Sequence, residues 1–301
     1  TRCTSSAASD VYKRQLMTLI DEYFLENKPV FSGKIREAYN YNNDQLILKT
    51  SNKISAYDFV FEDELPEKGA LLTKISKYWF KKTGHIIDNH MIDSNELEQL
   101  VPNSHERCIL VKKCKPIRIE AIVRGYISGS AYKEYLESGM IGDIDIKENM
   151  QLNDKFDLPI FTPSTKAAVG DKDQNISLSE MYQIIGRDAA EYIKNKSFEL
   201  YDYAHEHALS KGLTLIDTKF EFGYDQNKKI ILIDEIFTPD CSRYCLTNDL
   251  KQKNVNYFDK QYFRDYLKSI KWDNNQISIP DKIKESIISR YSDVFGMLTD
   301  E

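Results

Sequence analysis

The chain has 301 residues, 41% of them hydrophobic and 29% charged, with a formal net charge of −6. That length and apolar content can supply the core of one large or two modest domains, and the acidic balance argues against a general nucleic-acid binder while leaving room for a local basic pocket. No apolar stretch approaches a membrane span. Five cysteines, Cys3, Cys108, Cys114, Cys241 and Cys245, form no Cys-x-x-Cys pair and no disulfide-dense pattern, which fits free thiols in a reducing cytoplasm. Cys241-x-x-x-Cys245 lacks a second ligand pair at zinc spacing.

Residues 1–16 stand apart. Ser5 to Gln15 looks like the in-frame translation of a transposase sequencing adapter, and Met17 follows. This leader is expected to be non-native; a short disordered leader or targeting remnant is the alternative. Genomic sequence encoding the same residues upstream of Met17 would sink the first reading.

From Leu19 to Leu25 the apolar spacing is helical, ending before Pro29. Val30 to Tyr39 and Gln45 to Thr50 flank an Asn-rich turn and read as a hairpin, with Gly33 allowing close backbone approach and Lys34 and Arg36 on one strand face. Lys53 to Asp58 and Lys68 to Thr73 precede an amphipathic helix through Trp79. Arg107 to Lys113 reads as a buried strand running into Lys115-Pro116. This is a connection between an N-terminal β-rich lobe (17–115) and a larger C-terminal α/β domain (116–301), of a kind that offers backbone donors and acceptors to an adenine edge. Ser128-Gly129-Ser130 opens a helix from Ala131 to Leu136. Such a start is a ready anion site, where Arg124 and Ser130 would meet.

Phe161 to Ala167 and Gly170 to Ser177 read as a polar loop. Ser179 to Lys211 reads as one long helix with Ile184, Ile185, Ala189, Tyr192, Ile193 and Leu200 inward, and with His205 and His207 solvating its end. In Leu215 to Gly223, Asp217, Lys219 and Glu221 share one strand face. After a turn, Ile230 to Glu235 should return antiparallel and bring Asp234 near Glu221. A charged D-x-K-x-E face is costly to bury unless its charges are paired or ligated, a hard divalent ion takes carboxylate oxygens, and Arg243 beyond the acids suits phosphate. Two helices, split by Asn274 to Pro280, close the chain.

The run LIDTKFEFG with DEIFTPDCSR, and separately EAIVRGYISGS (Glu120 to Ser130), closely resembles the signatures of the SAICAR synthetase family. The resemblance spans nearly everything from Gly33 onward, with departures at Asn52-Lys53 (usually Asp-Arg), Glu67 (commonly Gly), Arg118 (often Pro) and Lys172 (usually His). It implies an α+β fold, an antiparallel β-rich lobe and a larger α/β domain with the ATP cleft between them, ATP-grasp or kinase-like. It implies an ATP-dependent, Mg²⁺-requiring ligase of purine biosynthesis that joins L-aspartate to the carboxylate of the ribonucleotide CAIR, through an acyl phosphate, giving SAICAR, ADP and phosphate. The residues carried over are Gly33, Lys34, Arg36 and Lys112 for ATP; Glu221 and Asp234 for the metal; and Lys219 for the developing charge, with Asp217 orienting Lys219 or binding ribose. Arg124, Ser130 and Arg243 would hold the CAIR phosphate, Lys166 and Asp173 the aspartate; Ser55, Asp58 and Lys68 match further family blocks and join the substrate set. The expected assembly is a monomer or small homo-oligomer. Competing readings are another carboxylate ligase or kinase on this scaffold, or a non-catalytic nucleotide-binding protein.

Overall fold

The computed structural model describes residues 21–166, 174–251 and 255–300. Asp173 and Lys172 lie outside them, as does the leader. Helix α1 (Glu22–Glu26) precedes β1 (Phe31–Ser32), β2 (Arg36–Asn40) and β3 (Gln45–Thr50). The β4 (Lys53–Ala56) and β5 (Phe59–Glu64) hairpin, α2 (Lys68–Lys82) and α3 (Glu96–Leu100) follow. Strand β6 (Cys108–Lys112) then returns beside β3 to complete a four-stranded antiparallel sheet, order β1-β2-β3-β6. Alternation along these strands puts Tyr39, Ile47, Cys108 and Leu110 in one apolar cluster with Leu97 and Val101.

After the two-residue link Lys113-Cys114 the chain enters a second antiparallel sheet with β7 (Lys115–Tyr126). Helix α4 (Gly129–Ser138), the short pair β8 (Met140–Ile141) and β9 (Ile144–Asp145), and β10 (Lys155–Thr165) come next. Helices α5 (Leu178–Ile185) and α6 (Arg187–Ser210) lead to β11 (Leu213–Tyr224), β12 (Ile230–Ile233) and β13 (Ser242–Leu246). The sheet order is β10-β7-β11-β12, with β13 also paired to β11. Helices α7 (Gln261–Ser269) and α8 (Asp281–Thr299) end the described chain.

A register shift between Leu215 and Asp217, where β11 runs against β13, decides what β11 presents on each face. Leu213, Leu215, Phe220 and Phe222 all enter the main core although their parities differ, while Ile216 joins a separate cluster. Strict alternation would have put the two leucines beside Asp217; the bulge re-aims the strand so that the charged triplet is clear of the core. Helix α6 packs behind, its Tyr201 hydroxyl donating to the Leu215 carbonyl at 2.8 Å.

Six expectations are revised. Phe161 to Thr165 is not loop but the end of edge strand β10, which tolerates Pro163 because an edge needs fewer ladder N–H groups. The long helix is two, broken at Gly186 (φ +82°); Ile184, before the break, is exposed, while Ile193 and Leu200 beyond it are buried as expected, together with Ala190 and Ser197. His205 and His207 do not solvate a helix end: they reach the carbonyls of Leu215 at 3.2 Å and Leu298 at 2.8 Å. Helix α2 begins at Lys68, and α4 begins at Gly129 with Ser128 as its N-cap residue. Lys34 lies in the bend between β1 and β2, closed by Gly33 N–H donating to Arg36 O at 2.7 Å, so it does not share a strand face with Arg36.

The C-terminal helices pack on the N-terminal core, although Val294 and Leu298 at the end of α8 enter the main one. Phe263, Leu267, Ile287 and Tyr291 cluster with Ile54, Phe61, Leu65 and Leu72. Full burial of each large apolar side chain contributes about 1.5–3 kcal/mol, so this cluster ties α7 and α8 to the first lobe. Helix α2 is shared, since its Ile75, Trp79 and Phe80 enter the main core.

Candidate active site

The central feature is a ladder of charges across β7 and β11. Lys219 lies opposite Ile122 and Glu221 opposite Glu120, so the Lys219 ammonium reaches diagonally to Glu120 at 2.7 Å and along its own strand to Glu221 at 2.9 Å. Lys166, just past β10, also pairs with Glu221. Burial would raise the Glu221 carboxyl, but Lys219 and Lys166 outweigh it and hold it at about 2. Burial likewise works against the Lys219 charge, and Glu221, Glu120 and Asp234 reverse that, keeping it protonated well above the ordinary lysine range.

Asp234 is the first residue past β12, whose Ile233 is the ladder partner of Glu221. It has φ +67°. Arg36 donates to both its carboxylate oxygens at 3.1 and 3.2 Å and to Glu235 at 2.6 Å. Burial nonetheless raises the Asp234 carboxyl above its ordinary value, and the neighbouring Glu221 and Glu235 add to this against the pull of Arg36. In the contacts just described, four carboxylates (Glu120, Glu221, Asp234, Glu235) face three cations (Lys166, Lys219, Arg36), an excess of acid that suits a further cation. Among the described residues no group of three or more His, Cys, Asp or Glu forms a metal cage. Magnesium does not need one: it takes one or two carboxylates and completes its shell with waters and phosphate oxygens. Glu221 and Asp234 fit it on that basis.

The other end of the triplet is a clamp. Asp217 has Arg124 of β7 on one side and Arg243 of β13 on the other. Its Oδ2 accepts from Arg124 at 3.2 Å and from Arg243 at 2.6 Å. Arg124 also donates to Thr162 at 2.9 Å, and Arg243 lies 3.2 Å from Asp259. The Arg243 guanidinium sits so close to the first turn of α4 that a Cβ at Gly129 (φ +58°) would come within 2.6 Å of it. Ser130 is exposed in that turn. Two guanidinium groups beside a helix N-terminus are chemically suited to an anion.

The N-terminal lobe contributes less directly than the sequence implied. Exposed Lys34 is paired with Asp58. Lys68 is fully buried and its ammonium is bonded to Asp240 at 2.8 Å, rather than open to a substrate. Ser55 meets Lys260 at 3.3 Å. Lys112 is exposed, but its N–H donates to His90 O and that of Lys113 to Asp44 O, so these two amides of the link are already used. The structure thus brings Arg36, Lys166, Lys219, Glu221 and Asp234 into one cluster and Arg124, Asp217 and Arg243 into a second.

Comparison with known proteins decides the family: residues 29–279 match the model described as SAICAR synthetase. The chain belongs to the SAICAR synthetase family. A relative from Neisseria meningitidis serogroup C (strain 053442), named phosphoribosylaminoimidazole-succinocarboxamide synthase, is 39% identical over 279 residues, which is 90% of this chain and 97% of that protein. One of the same name from Pasteurella multocida (strain Pm70) is 38% identical over 282 residues, 91% and 99% of the two chains. A solved structure described as SAICAR-synthase from Saccharomyces cerevisiae complexed with SAICAR is 34% identical and superposes with a TM-score of 0.82, covering 91% of this chain and 95% of that one. The family and the mixed α+β fold expected from the sequence are borne out.

Two departures from the family pattern acquire a physical account. Asn52, where Asp is usual, still accepts the Gly69 N–H at the start of α2, at 3.0 Å. Glu67, where Gly is common, has φ +68°, a conformation glycine adopts without cost. Glu120, Glu235, Asp240, Asp259 and Lys260 are site residues that sequence reasoning did not assign. Glu120 had a signal, since Glu120-x-x-x-Arg124 puts opposite charges on one strand face; Lys260 had none.

Proposed function

We propose that the chain is an ATP-dependent carbon–nitrogen ligase that joins L-aspartate to the carboxylate of CAIR, giving SAICAR, ADP and phosphate. The observation that carries this reading is that β11 has an anion clamp at Asp217 and a lysine–carboxylate cluster at Glu221. Four residues of strand span about 13 Å, which suits a ribonucleotide held by its phosphate at one end and presenting its carboxylate at the other. Arg124, Arg243 and Ser130 bind the ribose phosphate, with Asp217 fixing both guanidinium groups. Bound at Glu221 and Asp234, Mg²⁺ would neutralise phosphate charge.

A carboxylate oxygen is a poor leaving group, so the substrate carboxylate first attacks the terminal phosphorus of ATP and ADP departs. The aspartate amine then attacks the acyl carbon, the C–O bond to phosphate breaks, and the amine loses a proton. Lys219 neutralises charge on the transferred group, and Arg36 and Lys34 serve the nucleotide phosphates. Lys166 meets an aspartate carboxylate. We assign the activity to the cytoplasm, with small-molecule substrates only.

The test is ADP release by the chain from Met17 onward with ATP, Mg²⁺ and aspartate, with and without CAIR, while SAICAR is followed by absorbance. ADP and SAICAR appearing together only when every component is present is the expected result. CAIR-independent ADP release, or no turnover, would overturn the assignment.

A further inference from the structure

The segment from Asp234 to Arg243 joins the two charge clusters, carrying Asp234 and Glu235 at one end and Arg243 at the other. Between them, Asp240 is held by three separate pieces of the fold. Lys68, at the first residue of α2, donates to its Oδ2 at 2.8 Å; Lys260, just before α7, lies 3.1 Å from the same oxygen; and Tyr291 of α8 donates to Oδ1 at 2.7 Å. The Lys68 and Asp240 side chains are 0% and 1% exposed. Taking two ammonium groups and one carboxylate out of water is a poor route to stability, because the cost of desolvation rivals the attraction gained. Such a hub is better explained by what it fixes in place.

What it fixes can be followed bond by bond. Asp240 N–H donates to the Thr238 hydroxyl at 3.2 Å, and that hydroxyl donates to Glu235, the partner of Arg36. Cys241 and Ser242 N–H groups donate to Thr238 O at 3.1 and 2.8 Å, and Cys241 O accepts the backbone N–H of Lys219 at 2.9 Å. A displaced Asp240 therefore moves Glu235 and the backbone beside Lys219 together.

We propose that Asp240 is a positioning residue for the ligation: gripped by Lys68, Lys260 and Tyr291, it sets the segment that presents the metal-side acids and the phosphate-side arginine to one another. This rests on the ligase reading above. Lys68 then contacts no substrate and acts through Asp240. The charged and titratable groups acting on Lys68 are Asp240 and Glu235 from the segment itself and Lys260 from the approach to α7. The Tyr291 ring of α8 lies 5.9 Å away. Burial and Lys260 lower the Lys68 ammonium to about 8 against the pull of Asp240.

The test uses the full chain with Tyr291→Phe, which removes one bond to Asp240, and Lys260→Met, which removes one cation. For Tyr291→Phe the expected result is a kcat reduced about tenfold, equivalent to one hydrogen bond of about 1.4 kcal/mol, with KM for ATP and CAIR changed less than twofold. In wild type, kcat should fall on the alkaline side as Lys68 loses its proton at about 8, and Lys260→Met should move that limb to higher pH. An unchanged kcat with only a lower melting temperature, or an alkaline limb unmoved in Lys260→Met, would overturn the proposal. If wild type itself shows no turnover, the ligase reading has failed, and the hub is judged on urea unfolding instead. With Lys68 lowered from 10.5 to about 8 in the folded chain, the unfolded chain binds more protons in that interval, so the Lys68 contribution to stability rises with pH there. Lys260→Met should shrink that rise; an equal rise in both proteins refutes the hub.

Discussion

Glu221→Gln offers the most quantitative check on the site's electrostatics. A buried carboxyl held at about 2 instead of 4.5 corresponds to about 3 kcal/mol of stability, at 1.36 kcal/mol per decade. Because the folded-state value is depressed, this contribution is complete above pH 4.5 and is lost as pH falls through about 2. At pH 7 the amide variant should therefore be about 3 kcal/mol less stable than wild type in urea unfolding followed by tryptophan fluorescence. Trp79, in the main core beside the site's sheet, is fully buried and reports on it. The gap should narrow steadily as both proteins are taken from pH 5 toward pH 3, since unfolded wild type there takes up a proton at Glu221 that the folded chain does not and the variant cannot bind. A gap as wide at pH 3 as at pH 7, or no gap at pH 7, would show that Lys219 and Lys166 do not hold Glu221 ionised, and the reading of the cluster would fall. Turnover should be lost in the variant at every pH.

Arg243→Ala should raise KM for CAIR about 10- to 100-fold, the worth of a charge-assisted hydrogen bond, with a much smaller change for ATP; the reverse ordering in steady-state kinetics would move Arg243 to the nucleotide site. Gly129→Ala forces φ +58° on an L-residue and sets a methyl 2.6 Å from the Arg243 guanidinium, so a loss of about 1–2 kcal/mol from the backbone alone should come with the same CAIR-selective defect. An unaltered KM for CAIR would separate the arginine from the helix turn. Glu67→Gly relieves the cost of φ +68° while adding unfolded-chain entropy, for a net gain of up to about 1 kcal/mol; a fall in melting temperature would mean that the Glu67 side chain makes a stabilising contact.

What was legible in the sequence follows from locality. The Asp217, Lys219 and Glu221 triplet and the return strand to Asp234 could be placed because a tight hairpin and a two-residue period fix register over a few residues. The same period failed a few residues earlier, where the bulge before Asp217 puts Leu215 in the core, and nothing in Leu-Ile-Asp announces an extra residue in one strand. Gly186 was visible inside a helical pattern, but its φ of +82° was not, so the break was missed although Ile193 and Leu200 beyond it are buried as the periodicity requires. Residues joined only by tertiary contact were invisible: Lys68, Lys260 and Tyr291 come together only at Asp240. Lys68 itself was picked out by family pattern, which marks a position without saying whether the side chain faces a ligand or the core.

The pairing of the site's own charges bears on how a nucleotide would enter it. Arg36 and Lys219, suited to phosphates, and Lys166, suited to a substrate carboxylate, are engaged by Asp234, Glu235, Glu120 and Glu221, which include the acids suited to the metal. A bare polyphosphate would meet those carboxylates, and a bare divalent cation would meet the ammonium and guanidinium groups, each at a cost in like-charge repulsion inside a partly dry cleft. A metal–nucleotide complex would face neither penalty, because Glu221 and Asp234 would hold its cation while Arg36 and Lys219 would be freed for its phosphates. On the proposed function, the ladder across β7 and β11 is then a set of ion pairs built to exchange partners. Its internal salt bridges to Lys219 and Lys166 keep Glu221 ionised until the complex arrives, which is why that depressed carboxyl belongs to the chemistry as much as to the fold.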